Sequence, residues 1–275
     1  MANALVIRTA GTNCDAEMVR AFRLAGAGAD LVHIDALIDN PAKVDNYNIL
    51  GFPGGFSYGD DIASGRVLAV RMRERLWPAL RDAANRGVLM IGVCNGFQVM
   101  AQIGLLPGPG RTKWPDAPPA PTIALADNQH ARFVDKWVRV EFDEASPCVW
   151  TRGLAGDALP PDAAQLPIAH GEGRFVATDD ATLRALEAGG HVALRYAEGH
   201  NINGSAARIA GVCDASGRIF GLMPHPDRYL SWTNHPYWTR LPRALFDTDT
   251  PGLRMFRNAV RAADELSTGN ASMAG

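Results

Sequence analysis

The chain has 275 residues, of which 47% are hydrophobic, and its 27 lysines and arginines nearly balance its 29 aspartates and glutamates. A net charge of -2 provides no basic surface for nucleic-acid binding, and the hydrophobic content excludes a disordered chain. The N-terminal apolar run is too short for a signal peptide, and no stretch of about 18 apolar residues could span a bilayer. We therefore expect a globular cytoplasmic protein without nucleic-acid or membrane partners.

Short apolar runs alternate with longer helical patterns over the first hundred residues. Met18, Phe22 and Ala25 recur at the spacing of one helix face, within a helix that is expected to end at a glycine. Because repeated βα units require a parallel sheet, we expect helices on both faces of such a sheet. The predicted strands are residues 4–8, 30–34, 47–52 and 87–92, and the predicted helices are residues 15–26, 64–86 and 95–103.

Proline and glycine interrupt this alternation at residues 105–121, which are therefore predicted to form a loop. Beyond the loop the strands are of the hairpin type, and the turn residues Asp214, Ala215, Ser216 and Gly217 separate the last two. The later elements are predicted strands at 133–142, 192–196, 207–213 and 219–223, a short helix at 182–188 and a final helix at 252–266.

This order of elements predicts one α/β domain over residues 1–266, followed by a disordered tail at residues 267–275. The expected fold has a mostly parallel central sheet with helices on both faces, and antiparallel strands in its C-terminal half. No internal repeat or break in composition indicates a second domain.

The strongest local motif is G-x-C-x-G at residues 92–96, which follows a predicted strand and opens a predicted helix. This is the form of a nucleophile elbow with cysteine in place of serine, in which flanking glycines let neighbouring backbone approach closely. The dipole and free N–H groups of a helix N-terminus stabilise a thiolate. Cys94 is therefore a candidate nucleophile, and the alternative is a small buried residue at a tight turn.

A cysteine nucleophile needs a base and a group that orients the base. His225 follows the predicted strand at 219–223, and its flanking prolines favour extended backbone. Side chains two residues apart in an extended chain point to the same side, which pairs His225 with Asp227. Both would lie at the C-terminal edge of the sheet, where α/β sites form. A structural histidine in a proline-rich turn is the alternative.

An oxyanion hole would complete a site for acyl transfer. Gly54 and Gly55 follow the predicted strand at 47–52, so the N–H of Gly55 could join that of Asn95 in stabilising a developing negative charge. An ordinary turn at the end of a strand would also account for the two glycines.

Together these motifs resemble the class I, or triad, glutamine amidotransferases, and within them the glutaminase subunits of phosphoribosylformylglycinamidine synthase. The resemblance extends over residues 4–265 and implies a flavodoxin-like fold. The strings GGFSYGD and AHGEGRF separate this subfamily from other triad amidotransferases. The segments that carry the resemblance are residues 11–15 (GTNCD), 54–60 (GGFSYGD), 92–98 (GVCNGFQ), 128 and 132–133 (N and RF), 167–175 (PIAHGEGRF), 203–205 (NGS) and 223–226 (MPHP).

The resemblance implies that Cys94 attacks the side-chain amide of L-glutamine and forms a glutamyl thioester that water then hydrolyses. His225, oriented by Asp227, would take the thiol proton and return it to the departing ammonia. Gly55 and Asn95 would stabilise the tetrahedral oxyanion.

The resemblance also implies that Gly54, Phe56 and Gln98 contact the bound glutamine. The ammonia would pass to a large synthetase subunit, which uses ATP and Mg²⁺, and a small third subunit joins bacterial complexes. This chain has no phosphate-binding loop of the P-loop type, so we expect it to hold no cofactor of its own.

Two positions depart from the family pattern. The family usually has glutamate where this chain has Asp227, and the shorter side chain should leave the carboxylate about 1–1.5 Å short of the imidazole unless the backbone compensates. The second departure is the segment 200–205, where the family more often carries a proline before Asn-Gly-Ser.

His170, Glu172 and Arg174 alternate with two glycines, which is typical of a contact or gating loop. The alternative is a solvated turn. A cluster of aromatic residues further along could belong to the core or to a subunit interface. Its members are Trp232, Tyr237 and Trp238.

The other cysteines, Cys14, Cys148 and Cys213, are interpreted as structural thiols in a reducing compartment. We expect no metal site, because His191, His200 and Cys213 lack the spacing of metal ligands.

Two other functions remain open from the sequence. One is a stand-alone Cys-His-Asp hydrolase of the same fold that acts on another amide, and the segment GGFSYGD argues against it. The other is a non-enzymatic partner subunit whose altered triad no longer turns over, and the retention of Cys94 and His225 argues against that.

Overall fold

The computed structural model describes the backbone of residues 1–110, 112–156 and 159–273, with side chains as far as residue 266. The N-terminal elements are β1 (Asn3–Arg8), α1 (Asp15–Ala25), β2 (Gly28–His33), α2 (Ile34–Asp39), β3 (Ile49–Phe52), α3 (Arg66–Arg75), α4 (Trp77–Asn85), β4 (Leu89–Val93) and α5 (Asn95–Ile103). The C-terminal elements are β5 (Ile123–Ala126), β6 (Val134–Phe142), β7 (Gln165–His170), β8 (Arg174–Ala177), α6 (Asp180–Ala188), β9 (Val192–Tyr196), β10 (Ile209–Cys213), β11 (Ile219–Leu222) and α7 (Pro251–Met273).

The described strands form a large sheet in the order β2-β1-β3-β4-β11-β10-β9-β6-β7, with β5 and β8 paired separately. The first five strands in this order pair in parallel, and they are β2, β1, β3, β4 and β11. The remaining strands of the large sheet, β10, β9, β6 and β7, pair antiparallel. The prediction of an α/β fold with antiparallel strands in the C-terminal half is therefore confirmed.

Strands β3 and β4 are buried along their whole length, as expected where helices cover both faces of a parallel sheet. They are flanked by β1 and β11, so the centre of the parallel part coincides with the hydrophobic core. The local sequences, ILGF and LMIGV, are short apolar runs without the alternation of a half-exposed strand.

Strands β3, β4 and β11 are neighbours, with Phe52 opposite Gly92 and Leu222 opposite Val93. Because the three strands are parallel, their carboxyl ends lie at the same edge of the sheet. The segments that follow them carry the predicted glycine pair, the predicted nucleophile and the predicted base. The sheet topology therefore gathers these segments at the edge where α/β proteins build their sites.

The helix predicted over residues 64–86 is two helices, α3 and α4, separated at Leu76. Pro78 lies in the first turn of α4, where the missing N–H has no intrahelical partner to lose. Within one continuous helix the same proline would remove a hydrogen bond and clash with the carbonyl four residues before it. The prediction of a single helix is therefore wrong at this point.

The sequence analysis missed α2, β5, β7 and β8, which have only four to six residues each. Strand β7 contains Pro167, which is tolerated because β7 is at the edge of the sheet.

Helix α7 continues to Met273 instead of ending at residue 266, so the tail predicted at residues 267–275 begins with helical backbone. Residues 274–275 of that tail lie outside the described residues. Among the described helices, none combines the length and the apolar character needed to cross a membrane.

The aromatic cluster divides between core and surface. Trp232 is buried, and its ring lies edge-to-face on Tyr229 at 5.6 Å between centroids. Tyr237 and Trp238 expose 58% and 43% of their surface. Trp232 is therefore a core residue, whereas the other two belong to the surface of this chain.

Helices α1 and α7 pack against each other through Phe22 and Phe256, whose buried rings meet edge-to-face at 5.1 Å. Phe22→Ala should lower the free energy of unfolding by about 3–5 kcal/mol, because it removes a buried ring and leaves a cavity. Leu24→Ala on the same helix is the matched control: Leu24 is 46% exposed, and its loss should cost less than about 1 kcal/mol. Urea denaturation measures both values, and equal effects would contradict the packing of α1 on α7.

Candidate active site

The predicted elbow lies between β4 and α5, and its backbone is strained. Cys94 has φ of +52° and ψ of -108°, and its N–H donates to the carbonyl of Leu222 at 2.8 Å. A Cβ on Gly96 would lie 1.9 Å from the carbonyl oxygen of Phe52, and one on Gly92 would lie 2.7 Å from the carbonyl oxygen of Gly96. The two flanking glycines are therefore required by close backbone contacts on both sides of the elbow.

The Cys94 side chain is only 5% exposed, and its thiol donates to the carbonyl of Ala169 on β7 at 3.6 Å. It stands at the N-terminus of α5, where the helix dipole and the unpaired N–H groups favour a negative charge. Cys94 therefore occupies the position at the end of β4 where the start of α5 faces the site.

His225 and Asp227 lie together in the interior, with side chains 2% and 0% exposed and 3.3 Å between Nδ1 and Oδ1. The backbone N–H of His225 donates to the carbonyl of Pro167 at 2.8 Å, which anchors the segment to β7. The distance between the His225 imidazole and the Asp227 carboxylate is longer than the 2.7–2.9 Å typical of a charge-assisted hydrogen bond. The geometry of this pair does not qualify as a hydrogen bond. The shorter aspartate thus reaches ion-pair distance without making a well-formed bond.

The backbone that produces this pairing differs from the prediction. His225 itself is extended, but Pro226–Arg228 forms a 3₁₀ turn, so the assumption of extended chain through Asp227 is wrong. With this turn the carboxylate lies 3.3 Å from the imidazole, so the shorter side chain still reaches ion-pair distance.

Burial alone would lower the pKa of His225, but the carboxylate of Asp227 and the thiols of Cys14 and Cys94 raise that pKa well above its ordinary value. This direction favours the imidazolium over the neutral ring. An imidazolium stabilises a neighbouring thiolate, which is the nucleophilic form of cysteine. The protonated ring is also ready to donate to a leaving amine.

Cys14 also belongs to this cluster, although the sequence analysis treated it as a structural thiol. It is buried, its sulfur lies within 4.8 Å of a ring nitrogen of His225, and Arg228 donates to that sulfur at 3.0 Å. Burial raises the pKa of its thiol. Only its place in the segment GTNCD could have signalled a position in the site.

The ligand atoms of Cys14, His225 and Asp227 lie within 4.8 Å of one another, close enough to share a metal ion. The guanidinium of Arg228, however, directs its positive charge at the sulfur of Cys14. The cluster therefore combines a cation, a thiol, an imidazole and a carboxylate in the interior of the protein.

The glycine pair lies against the other three segments. A Cβ on Gly54 would lie 2.7 Å from Cε1 of His225 and 3.4 Å from Cβ of Cys94, so only glycine fits between these two side chains. Gly55 has φ of +140° and packs on the backbone of Asn13, where a Cβ would lie 2.7 Å from the amide nitrogen. This loop is therefore next to the reacting groups, as the predicted oxyanion hole requires.

Of the residues expected to contact glutamine, Gln98 is buried and Phe56 is exposed. Gln98 accepts a hydrogen bond from the side chain of Asn95 at 3.0 Å and donates to the carbonyl of Glu172. The ring of Phe56 is 43% exposed and lies 6.3 Å from that of Phe133, which is 54% exposed. Gln98 thus binds the loop that contains Glu172, whereas the two phenylalanines form an exposed apolar pair.

The predicted gating loop is shorter than expected, because His170 ends β7 and Arg174 begins β8. His170 is buried with Nδ1 3.0 Å from Oδ1 of Asn128, and burial lowers its pKa to about 4, so the ring is neutral at pH 7. Glu172 accepts from the N–H of Ser64 at 3.2 Å. All of these residues are held by internal contacts beside the site.

Comparison with known proteins agrees with this geometry. The profile of the CobB/CobQ-like glutamine amidotransferase domain matches residues 1–261. The chain is 37% identical over 268 residues to the phosphoribosylformylglycinamidine synthase subunit PurQ of Dehalococcoides mccartyi, covering 95% of this chain and 98% of the relative. It is 40% identical over 273 residues to the PurQ subunit of Methanococcus maripaludis, covering 93% and 95%.

Solved structures give the same result. A structure of PurLQS from Thermotoga maritima matches with a TM-score of 0.69 and 31% identity, covering 95% of this chain and 98% of the other. A putative GMP synthase protein from Thermoplasma acidophilum has a TM-score of 0.56 at 14% identity over 98% of each chain, which supports the fold alone. With a matching domain profile and relatives of this similarity over nearly its full length, the chain belongs to the PurQ family of glutamine amidotransferases.

Proposed function

We propose that this protein is the glutaminase subunit of phosphoribosylformylglycinamidine synthase, which hydrolyses L-glutamine and supplies ammonia for de novo purine biosynthesis. The observation that carries the proposal is the convergence of Cys94, His225 and Asp227 at the ends of adjacent strands, in a chain whose full-length relatives are PurQ subunits. A buried thiol beside an imidazole whose pKa is raised is the arrangement that acyl transfer through a thioester needs.

In the proposed reaction, the thiolate of Cys94 attacks the side-chain amide carbon of glutamine. The N–H groups of Gly55 and Asn95 stabilise the oxyanion of the tetrahedral intermediate. The His225 imidazolium donates its proton to the amide nitrogen, the carbon–nitrogen bond breaks, and ammonia leaves a glutamyl thioester. The imidazole then takes a proton from water, which attacks the thioester and releases glutamate and the thiolate.

The ammonia passes to a second active site in this proposal. The match to a PurLQS structure supports two partners, a large PurL-like synthetase and a small PurS-like protein. ATP and Mg²⁺ would bind the synthetase, and this chain would hold no cofactor. The site of these events would be the cytoplasm, where free cysteines stay reduced.

Cys94→Ala should abolish glutamate release from glutamine, because no other group in the cluster can form the thioester at that position. Glutamate is measured enzymatically, with the protein alone and with the partner proteins, ATP-Mg²⁺ and formylglycinamide ribonucleotide. Cys148→Ala, at a buried cysteine in another part of the chain, is the control and should retain activity. Full activity in Cys94→Ala would contradict the proposed nucleophile.

Asp227→Asn should lower kcat/KM by about 10- to 100-fold and move its alkaline limb to lower pH. The carboxylate raises the pKa of His225, so the neutral amide lets the imidazolium lose its proton at a lower pH. The pH profile of kcat/KM measures both effects. Asp227→Glu keeps the charge and should keep the alkaline limb in place, whereas an unmoved limb in Asp227→Asn would contradict the proposed pair.

Glutamate release should be slow for the isolated chain and faster with the synthetase and its ligands. The loops that border the site, residues 54–60 and 171–173, are joined to each other and to α5 by hydrogen bonds, so a partner that contacts one of them would act on the whole site. Steady-state rates with and without the partner test this coupling. Equal rates would contradict it and would favour a stand-alone amide hydrolase.

A further inference from the structure

The segment GGFSYGD ends in a carboxylate that the proposed reaction does not use. Asp60 closes the turn Ser57–Asp60 and has φ of +52°, a conformation that is uncommon for a residue with a side chain. Its side chain accepts a hydrogen bond from the Nδ2 of Asn95 at 3.1 Å. The carboxylate therefore touches the residue that directly follows the nucleophile, without being part of the triad.

Asp60 joins three segments through one carboxylate. Its Oδ1 accepts from the backbone N–H of Gly65, at the start of α3, at 3.1 Å, as well as from Asn95. Its Oδ2 accepts from the hydroxyl of Ser64 at 3.0 Å. The Asp60 carboxylate thus joins the turn, the start of α3 and the start of α5 by hydrogen bonds.

The side chain of Asn95 has its orientation fixed by these contacts. Its Oδ1 accepts from the N–H of Ser57 at 3.2 Å, and its Nδ2 donates both to Asp60 and to Oε1 of Gln98. Both donors and the acceptor of the amide are used, and Asn95 is buried. Because Asn95 is the first residue of α5, locking its side chain also locks the turn that presents its backbone N–H.

We propose that Asp60 is a positioning residue for the oxyanion hole, which holds Asn95 so that its N–H meets the negative charge that develops on the glutamine amide oxygen. The inference rests on the proposed function, and it assigns no contact between Asp60 and the substrate. The role favours a carboxylate, because Oδ1 and Oδ2 together accept three hydrogen bonds, and hydrogen bonds to a charged acceptor are the stronger ones. An asparagine would have to reverse its hydrogen bond with the Ser64 hydroxyl, and its uncharged oxygen would bind Gly65 and Asn95 more weakly.

The test compares Asp60→Asn with Asp61→Asn, which removes the same charge from the adjacent exposed residue. Glutamate release is measured for the chain assembled with the synthetase, and Cys94 alkylation by iodoacetamide is measured on the same samples. Alkylation needs the thiolate but no oxyanion hole. We expect Asp60→Asn to lower kcat about tenfold, with KM, the alkylation rate and the thermal unfolding midpoint close to those of Asp61→Asn.

A second variant separates the loss of a hydrogen bond to Asp60 from the loss of its charge. Ser64→Ala removes one hydrogen bond to Asp60 without changing the charge, and it should lower kcat by about two- to fivefold with the alkylation rate unchanged. The inference is overturned if Asp60→Asn and Ser64→Ala have the kcat of Asp61→Asn, or if alkylation falls as much as kcat. Wild-type protein that releases no glutamate would instead contradict the proposed function, whereas an active wild type with an insensitive Asp60→Asn contradicts this inference alone.

Discussion

The site depends on the fact that three neighbouring parallel strands, β3, β4 and β11, end at the same edge of the sheet. Each strand is followed at once by one part of the proposed site: the glycine loop after β3, the proposed nucleophile Cys94 after β4 and the proposed base His225 after β11. The first and the last of these segments, at Gly54 and His225, are more than 170 residues apart in the sequence. Their proximity is therefore a property of strand order, and no local interaction between the segments could replace it.

The strained elbow is a second consequence of the same arrangement. A non-glycine residue with the φ and ψ of Cys94 costs about 1–3 kcal/mol, which the surrounding structure must offset. The neighbours that hold it belong to the flanking strands, since Cys94 donates to Leu222 at the end of β11 and Gly96 packs on Phe52 at the end of β3. The same strands that assemble the triad thus also impose the backbone conformation that exposes the nucleophile to it.

Much of this could be predicted from sequence, because the signals are local. The apolar runs of β3, β4 and β11 and the motif around Cys94 lie within a few residues of what they determine. Cys14 was missed because its role depends on His225 and Arg228, which are more than 200 residues away. The 3₁₀ turn at Asp227 was also missed, because flanking prolines generally favour extended chain, whereas Pro226 stands at the first position of the turn, where a proline is tolerated. Asp60 could be seen as part of a motif, but its contact with Asn95 could not.

Covalent labelling with a diazoketone analogue of L-glutamine, followed by peptide mass spectrometry, tests the proposed nucleophile and substrate together. Such an analogue presents an electrophilic carbon where the side-chain amide of glutamine would lie. We expect one adduct, on Cys94, which excess L-glutamine prevents and which Cys94→Ala does not form. An adduct on Cys14, or labelling of Cys94 that L-glutamine does not slow, would contradict the assignment of nucleophile and substrate.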